Sequence, residues 1–178
     1  GQDLDREHAV DDAPERGRAP ELVVVAAAGV EADHQIRLAD PGAVLFGGVT
    51  AVRDLGWVPE EIFALANASE LPSFTGPVIR AAGPMLTAPG GYPTQERWAP
   101  AGTGRELAGP EDVAAAVAEL ADSGAAAVKV ALNSEAGPTP SDAELAAIVQ
   151  AAHERDLPVT AHVQGRGQAA RAVGAGID

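Results

Sequence analysis

The sequence predicts an α/β fold of parallel strands and crossover helices, of the (β/α) barrel type. Three observations carry this. Short apolar runs alternate with helical stretches from residue 21 onward. The repeat recurs roughly every 30 residues, the length of one β-α-β unit. Two of the runs, 126–132 (AAVKVAL) and 158–163 (PVTAHV), each carry one polar group near the carboxyl end, Lys129 and His162. An amine and an imidazole are costly inside a strand core, whereas the carboxyl-end rim of a parallel barrel is where reactive groups gather. A doubly wound open sheet would alternate in the same way, but no G-x-G-x-x-G opens a helix here to hold a dinucleotide.

The elements follow in order. Residues 1–20 read as a polar lead-in, containing Asp3, Asp5, Glu7, Asp11, Asp12 and Glu15 with Pro14 and Pro20. Such a stretch buries too little apolar surface to fold alone and is expected to be mobile. The partial barrel domain is expected over residues 21–178. Residues 21–28 (ELVVVAAA) read as a first strand. Asp40 and Pro41 open a short helix through Phe46, as N-cap and first residue, and Gly47-Gly48 closes it. Residues 49–55 (VTAVRDL) read as a buried strand, residues 59–68 as a helix with acids in its first turn, and residues 77–82 (PVIRAA) as the next strand.

Residues 83–109 read as one long Gly/Pro-rich loop holding Tyr92, Arg97, Trp98 and Arg105; loops of this length in a compact domain usually serve function. Pro110 opens a helix that ends before Gly124. The Lys129 strand follows, then a loop over 133–140. The next helix is capped by Ser141 with Glu144 three residues on, the spacing of a capping box. After the His162 strand a last helix is expected over 167–173.

Composition narrows the function. The formal net charge is −14, which argues against nucleic acid and anionic membrane, since both need clustered Lys and Arg. The acidity itself reads as a property of the whole surface, favouring solubility. No run approaches the ~18 apolar residues of a membrane span, and residues 1–21 show no apolar leader region. There is no Cys, so a metal here would take N and O ligands, and the compartment is expected to be cytoplasmic.

Four segments together resemble one family. They are 48–56 (GVTAVRDLG), 82–87 (AGPMLT) with Pro89-Gly90-Gly91, 127–130 (AVKV) and 157–162 (LPVTAH). In this order they are similar to the metal-dependent amidohydrolases, most closely the imidazolonepropionase-like branch, over residues 39–178. The resemblance implies one or two divalent metal ions, zinc by expectation, with Lys129 carboxylated to a carbamate that bridges two of them and His162 ligating one. It implies metal-assisted hydrolysis of an amide or other C–N bond in a small-molecule substrate.

The family also opens its barrel with His-x-His. The nearest match here is Asp33-His34-Gln35-Ile36, so His34 stands in the first position and Ile36, which cannot ligate, in the second. A further His on the sixth strand and an Asp on the eighth have no counterpart. The sequence therefore predicts about the first half of a TIM-like barrel, truncated or split. Open strand edges then predict self-association into a homo-oligomer. A non-catalytic fragment that self-associates is the competing expectation.

Other residues have plainer readings. Lys129 could snorkel to solvent, or act as a Schiff-base amine in an aldolase-like barrel. Arg53 and Asp54 read as an ion pair or loop brace, with Arg53 as a substrate contact the functional alternative. Tyr92 and Trp98 read either as part of a substrate pocket or as a surface excursion. His153 reads as a solvated helix residue and His8 as part of the lead-in. The turn 164–167 (QGRG) could receive an anion at a helix start.

Overall fold

The computed structural model describes residues 23–25 and 41–178. The lead-in over 1–20, His34, and Asp40 as a cap lie outside them. The order is β1 (Val23–Val25), α1 (Pro41–Phe46), β2 (Ala51–Asp54), α2 (Pro59–Ser69), β3 (Val78–Arg80), β4 (Met85–Thr87), β5 (Gly104–Glu106), α3 (Pro110–Asp122), β6 (Val128–Asn133), α4 (Asp142–His153), β7 (Val159–Gln164) and α5 (Gln168–Gly174). Every strand pairing is parallel. One sheet runs β1-β2-β3 and the other β5-β4-β6-β7. Among the described residues no helix is long and apolar enough to cross a membrane.

The two sheets meet at a corner. Only residues 81–84 separate β3 from β4. There the Ala82 amide donates to the Asp54 carbonyl at 3.1 Å and the Ala126 amide donates to the Ala81 carbonyl at 2.7 Å. Gly83 makes the bend at φ 74, and a Cβ there would lie 2.6 Å from the Phe63 ring. A side chain would meet both backbone strain and a packed ring.

The expected loop over 83–109 is corrected: it holds β4 and β5. Met85, Leu86 and Thr87 are all buried, but the four residues between Pro84 and Pro89 are too few to show a period. β5 has no apolar run at all; its strand character comes from pairing with the open edge of β4 in register Leu86↔Arg105. This is tertiary context overriding local propensity.

The helices cover one face of the sheets. Val128, Val130 and Leu132 of β6 join Val159 of β7 in the main core, with Val113 and Val117 of α3 and Leu145 and Ile148 of α4. Each of these helices starts where the sequence says it should. Pro occupies the first turn of α2 and α3 beside acids that complement the helix dipole. At α4 the Glu144 amide donates to Ser141 Oγ at 3.2 Å, and the Ser141 amide donates to Glu144 Oε2 at 2.7 Å. The capping box thus satisfies two otherwise orphaned donors.

Ser141→Ala removes one side of this exchange at the start of a core helix. Urea unfolding should show a loss of about 1 kcal/mol with an unchanged slope. No change in the midpoint would mean that packing alone sets the start of α4.

Candidate active site

Strand alternation decides what faces the side of the sheet opposite the helices. Val128, Val130 and Leu132 point into the helix-covered core, so Lys129, Ala131 and Asn133 point the other way. β7 pairs with β6 in register Lys129↔Thr160, Ala131↔His162 and Asn133↔Gln164. Thr160, His162 and Gln164 therefore share that inner face. A small second cluster lies on it, with Met85, Tyr92 and Ala131 buried together and Trp98 packed against them.

Lys129 is only 5% exposed. Among the described residues no hydrogen bond or ion pair reaches its amine. Burial disfavours the charged form and lowers its pKa from 10.5 to about 8. His162 is half-buried; burial first, and the Lys129 charge second, lower its pKa, while a hydrogen bond with Gln164 opposes them.

The loop after β4 contributes an aromatic wall. Tyr92 stacks on the His162 ring with centroids 4.8 Å apart and planes at 20°. Trp98 meets Tyr92 at 6.0 Å in a tilted contact. Two anchors hold this loop. Glu106 Oε1 accepts from the Gly90 amide at 2.8 Å and from Thr94 Oγ1 at 2.9 Å. Gly91 packs so tightly that a Cβ would lie 2.4 Å from the Pro138 carbonyl oxygen. The loops after β4 and β6 thus touch backbone to backbone, which sets Tyr92 over β7. Tyr92 is buried against the His162 ring, and Trp98, half-buried, packs on Tyr92.

Arg53 is in the other sheet, in register with Arg80. Its Nε is buried without a hydrogen-bond partner among the described residues. No ion pair joins it to Asp54, which corrects that expectation; the two side chains alternate to opposite faces of β2. Asp54 is the loop brace: its Oδ2 accepts from the Gly56 amide at 3.3 Å. Burial raises its pKa from 3.8 to about 6, against the lowering effect of hydrogen bonds from Gly56, Ala82 and Gly83.

His153 is an exposed residue of α4, as expected, and its Nε2 lies 2.9 Å from Asp178 Oδ2. The turn after β7 serves an internal network: Gln164 Nε2 donates to Glu135 Oε2 at 2.9 Å. Sequence reading missed Asn133 and Gln164. The available signal was even spacing: Asn133 is four residues from Lys129 and Gln164 two from His162, hence on the same strand faces.

Among the described residues no group of three or more His, Asp or Glu side chains could hold a metal ion. Lys129 and His162 offer two donors on adjacent strands. A catalytic zinc usually takes three protein ligands and a water. The residues present fit part of such a site.

The amidohydrolase family model matches residues 42–178. No curated protein sequence matches. Among solved structures, a Xaa-Pro dipeptidase with methionine bound in its active site is similar at 28% identity and a TM-score of 0.65, over 78% of this chain and 38% of that one. A prolidase complexed with N-methylphosphonate-L-proline shows 30% identity and a TM-score of 0.64, over 76% and 37%. A putative prolidase from Bifidobacterium longum shows 29% identity and a TM-score of 0.62, over 78% and 34%. The chain thus spans 34–38% of the length of these structures.

The raised pKa of Asp54 gives a pH dependence of definite sign. Between pH 3.8 and about 6 the folded chain holds a proton there that the unfolded chain has lost, so this group makes stability fall as pH rises through that window. Asp54→Asn removes the effect. The urea midpoint of the variant should gain on the parent from pH 4 to 6 and then run parallel. Parallel curves throughout would show that Asp54 titrates normally.

Proposed function

The chain belongs to the amidohydrolase family, and from that premise we propose that it forms part of a metal-dependent hydrolase of C–N bonds in small molecules. One observation supports this above others: Lys129, 5% exposed and with no hydrogen-bond or ion-pair partner for its amine among the described residues, lies one strand from an imidazole at His162, on the inner face of a parallel sheet. In the reading proposed here these two are metal donors. A lysine held near pKa 8 is partly neutral at pH 7, and only the neutral amine adds to carbon dioxide. Its nitrogen forms the new C–N bond and releases a proton, giving an anionic two-oxygen carbamate. Bound divalent metal, zinc by preference, would supply Lewis-acid polarisation and an acidified water. The burial that makes Lys129 a poor cation gives its carbamate a ligand's task.

The remaining residues do simpler work. Tyr92 covers one face of the His162 ring and limits water there, and with Trp98 it offers an apolar wall to a substrate. Arg53, with a buried Nε that has no partner among the described residues, is the candidate for a substrate carboxylate. The similarity to prolidases makes Xaa-Pro dipeptides the first substrates to try, with attack by water giving a free carboxylate and proline.

A second reading rests on the ligand arithmetic. The described residues provide two donors, below the usual three. β7 is the last strand of its sheet, with one edge unpaired among the described residues. A chain that self-associates through that edge, without chemistry of its own, accounts for both facts.

Metal analysis separates the readings. Protein purified without chelator and given 13C-bicarbonate should carry near-stoichiometric divalent metal and a carbamate carbon signal, and Lys129→Ala should lose both. A metal-free, carbamate-free protein that sediments as a dimer or larger would favour the second reading.

A further inference from the structure

The guanidinium of Arg171, on α5, is committed to four acceptors. Its Nε donates to Asp142 Oδ1 at 2.7 Å, and Nη2 donates to the Pro140 carbonyl at 2.7 Å. Nη1 donates to Thr139 Oγ1 and to Gln168 Oε1, both at 2.9 Å. Three of these acceptors lie on the stretch that leads from β6 into α4. Among the described residues, the only hydrogen bonds that join residues 137–140 to another element are those from Arg171. Its platform is firm, because Ala172, next along α5, is buried in the main core. The Asp142 side chain is 86% exposed, so charge alone binds it weakly. The planar fork matters more, since its fixed N–H directions meet several acceptors at once. The opposite side of the same stretch bears on the Tyr92 loop. A Cβ on Gly137 would lie 2.8 Å from the Gly90 carbonyl oxygen, and one on Gly91 would lie 2.4 Å from that of Pro138. Tyr92 follows directly, and its ring returns to His162 on β7, the strand that leads into α5. The contacts therefore close a ring through α5, the loop after β6, the loop after β4, and β7.

We propose that Arg171 is a positioning residue: it braces the loop after β6 from behind and so holds Tyr92 stacked on His162. Without the fork, residues 137–140 lose their hydrogen bonds to a neighbouring element, and the surface against which Gly90 and Gly91 pack recedes. Tyr92 then keeps only the Glu106 anchor at Gly90 and Thr94. Lysine is no substitute, because one ammonium nitrogen cannot reach acceptors spread over Thr139, Pro140 and Asp142. The purpose of this brace rests on the hydrolase reading, in which Tyr92 is a wall of the substrate site. Its existence does not, since it is measured without metal, substrate or turnover, and the two can fail separately.

The test is NMR cross-relaxation between the Tyr92 and His162 rings in the full chain. Tyr92 is the only tyrosine, so its ring signals are unambiguous, and His162 is identified by its loss in His162→Gln. The parent should show the contact. It should also show separate, slowly exchanging Nη protons for Arg171, the mark of a guanidinium that cannot rotate. Arg171→Lys and Arg171→Met should both lose the cross-relaxation between the rings, while the amides of β6 and β7 stay protected from hydrogen exchange. A part in stability alone would lower the urea midpoint and leave the ring contact intact in the folded chain. A folded Arg171→Lys that keeps the contact therefore overturns the proposal, and so does a freely rotating Arg171 guanidinium in the parent. Thr139→Val, which removes a loop acceptor at nearly unchanged shape and spares α5, decides the matter if neither Arg171 variant folds. It should weaken the cross-relaxation, and an unchanged contact overturns the proposal.

Discussion

The strict two-residue alternation of β6 and β7 is the constraint on which the candidate site depends. Val128, Val130 and Leu132 must face α3 and α4, because that apolar surface has nowhere else to go. Once they do, Lys129 and Asn133 are committed to the inner face, and the register with β7 brings His162 and Gln164 beside them. A slip of one residue would put an amine among the helices and open the core. The stability of the helix-packed layer is therefore what holds an ionisable lysine at 5% exposure. Its lowered pKa is a consequence of packing on the other side of the strand.

The second layer of organisation is the loop after β4. Glycine at 91 permits contact with the loop after β6, and Glu106 ties the start of the loop to β5. Together they bring Tyr92 over a strand seventy residues away in sequence. The aromatic contact in turn packs a ring on His162 from one side, while Asn133 addresses its edge.

Much of this was legible in the sequence. The helix starts at Pro59, Pro110 and Ser141 carry their own local chemistry, and the structure has helices at each. Lys129 and His162 stood out because a charge in an apolar run is a local contradiction. What escaped notice depended on partners distant in the chain. β4 and β5 are strands by virtue of pairing with each other, and Arg105-Glu106 contains no strand signal of its own. Asn133 looked like the start of a loop. Its hydrogen bonds come from Glu135 and Ala136 on one side and from a register thirty residues away on the other. The family resemblance was readable for the same reason as the helices: its segments are short, local and in order, and the family model covers residues 42–178.

The central claim is that Lys129 is buried, has no partner among the described residues, and is therefore a weak base. Its side-chain Cε signal, followed by 13C NMR in chain labelled at lysine and kept free of carbon dioxide, measures this directly. A midpoint near pH 8 is the result this account predicts; a midpoint at the ordinary 10.5 would place the amine in water and contradict it.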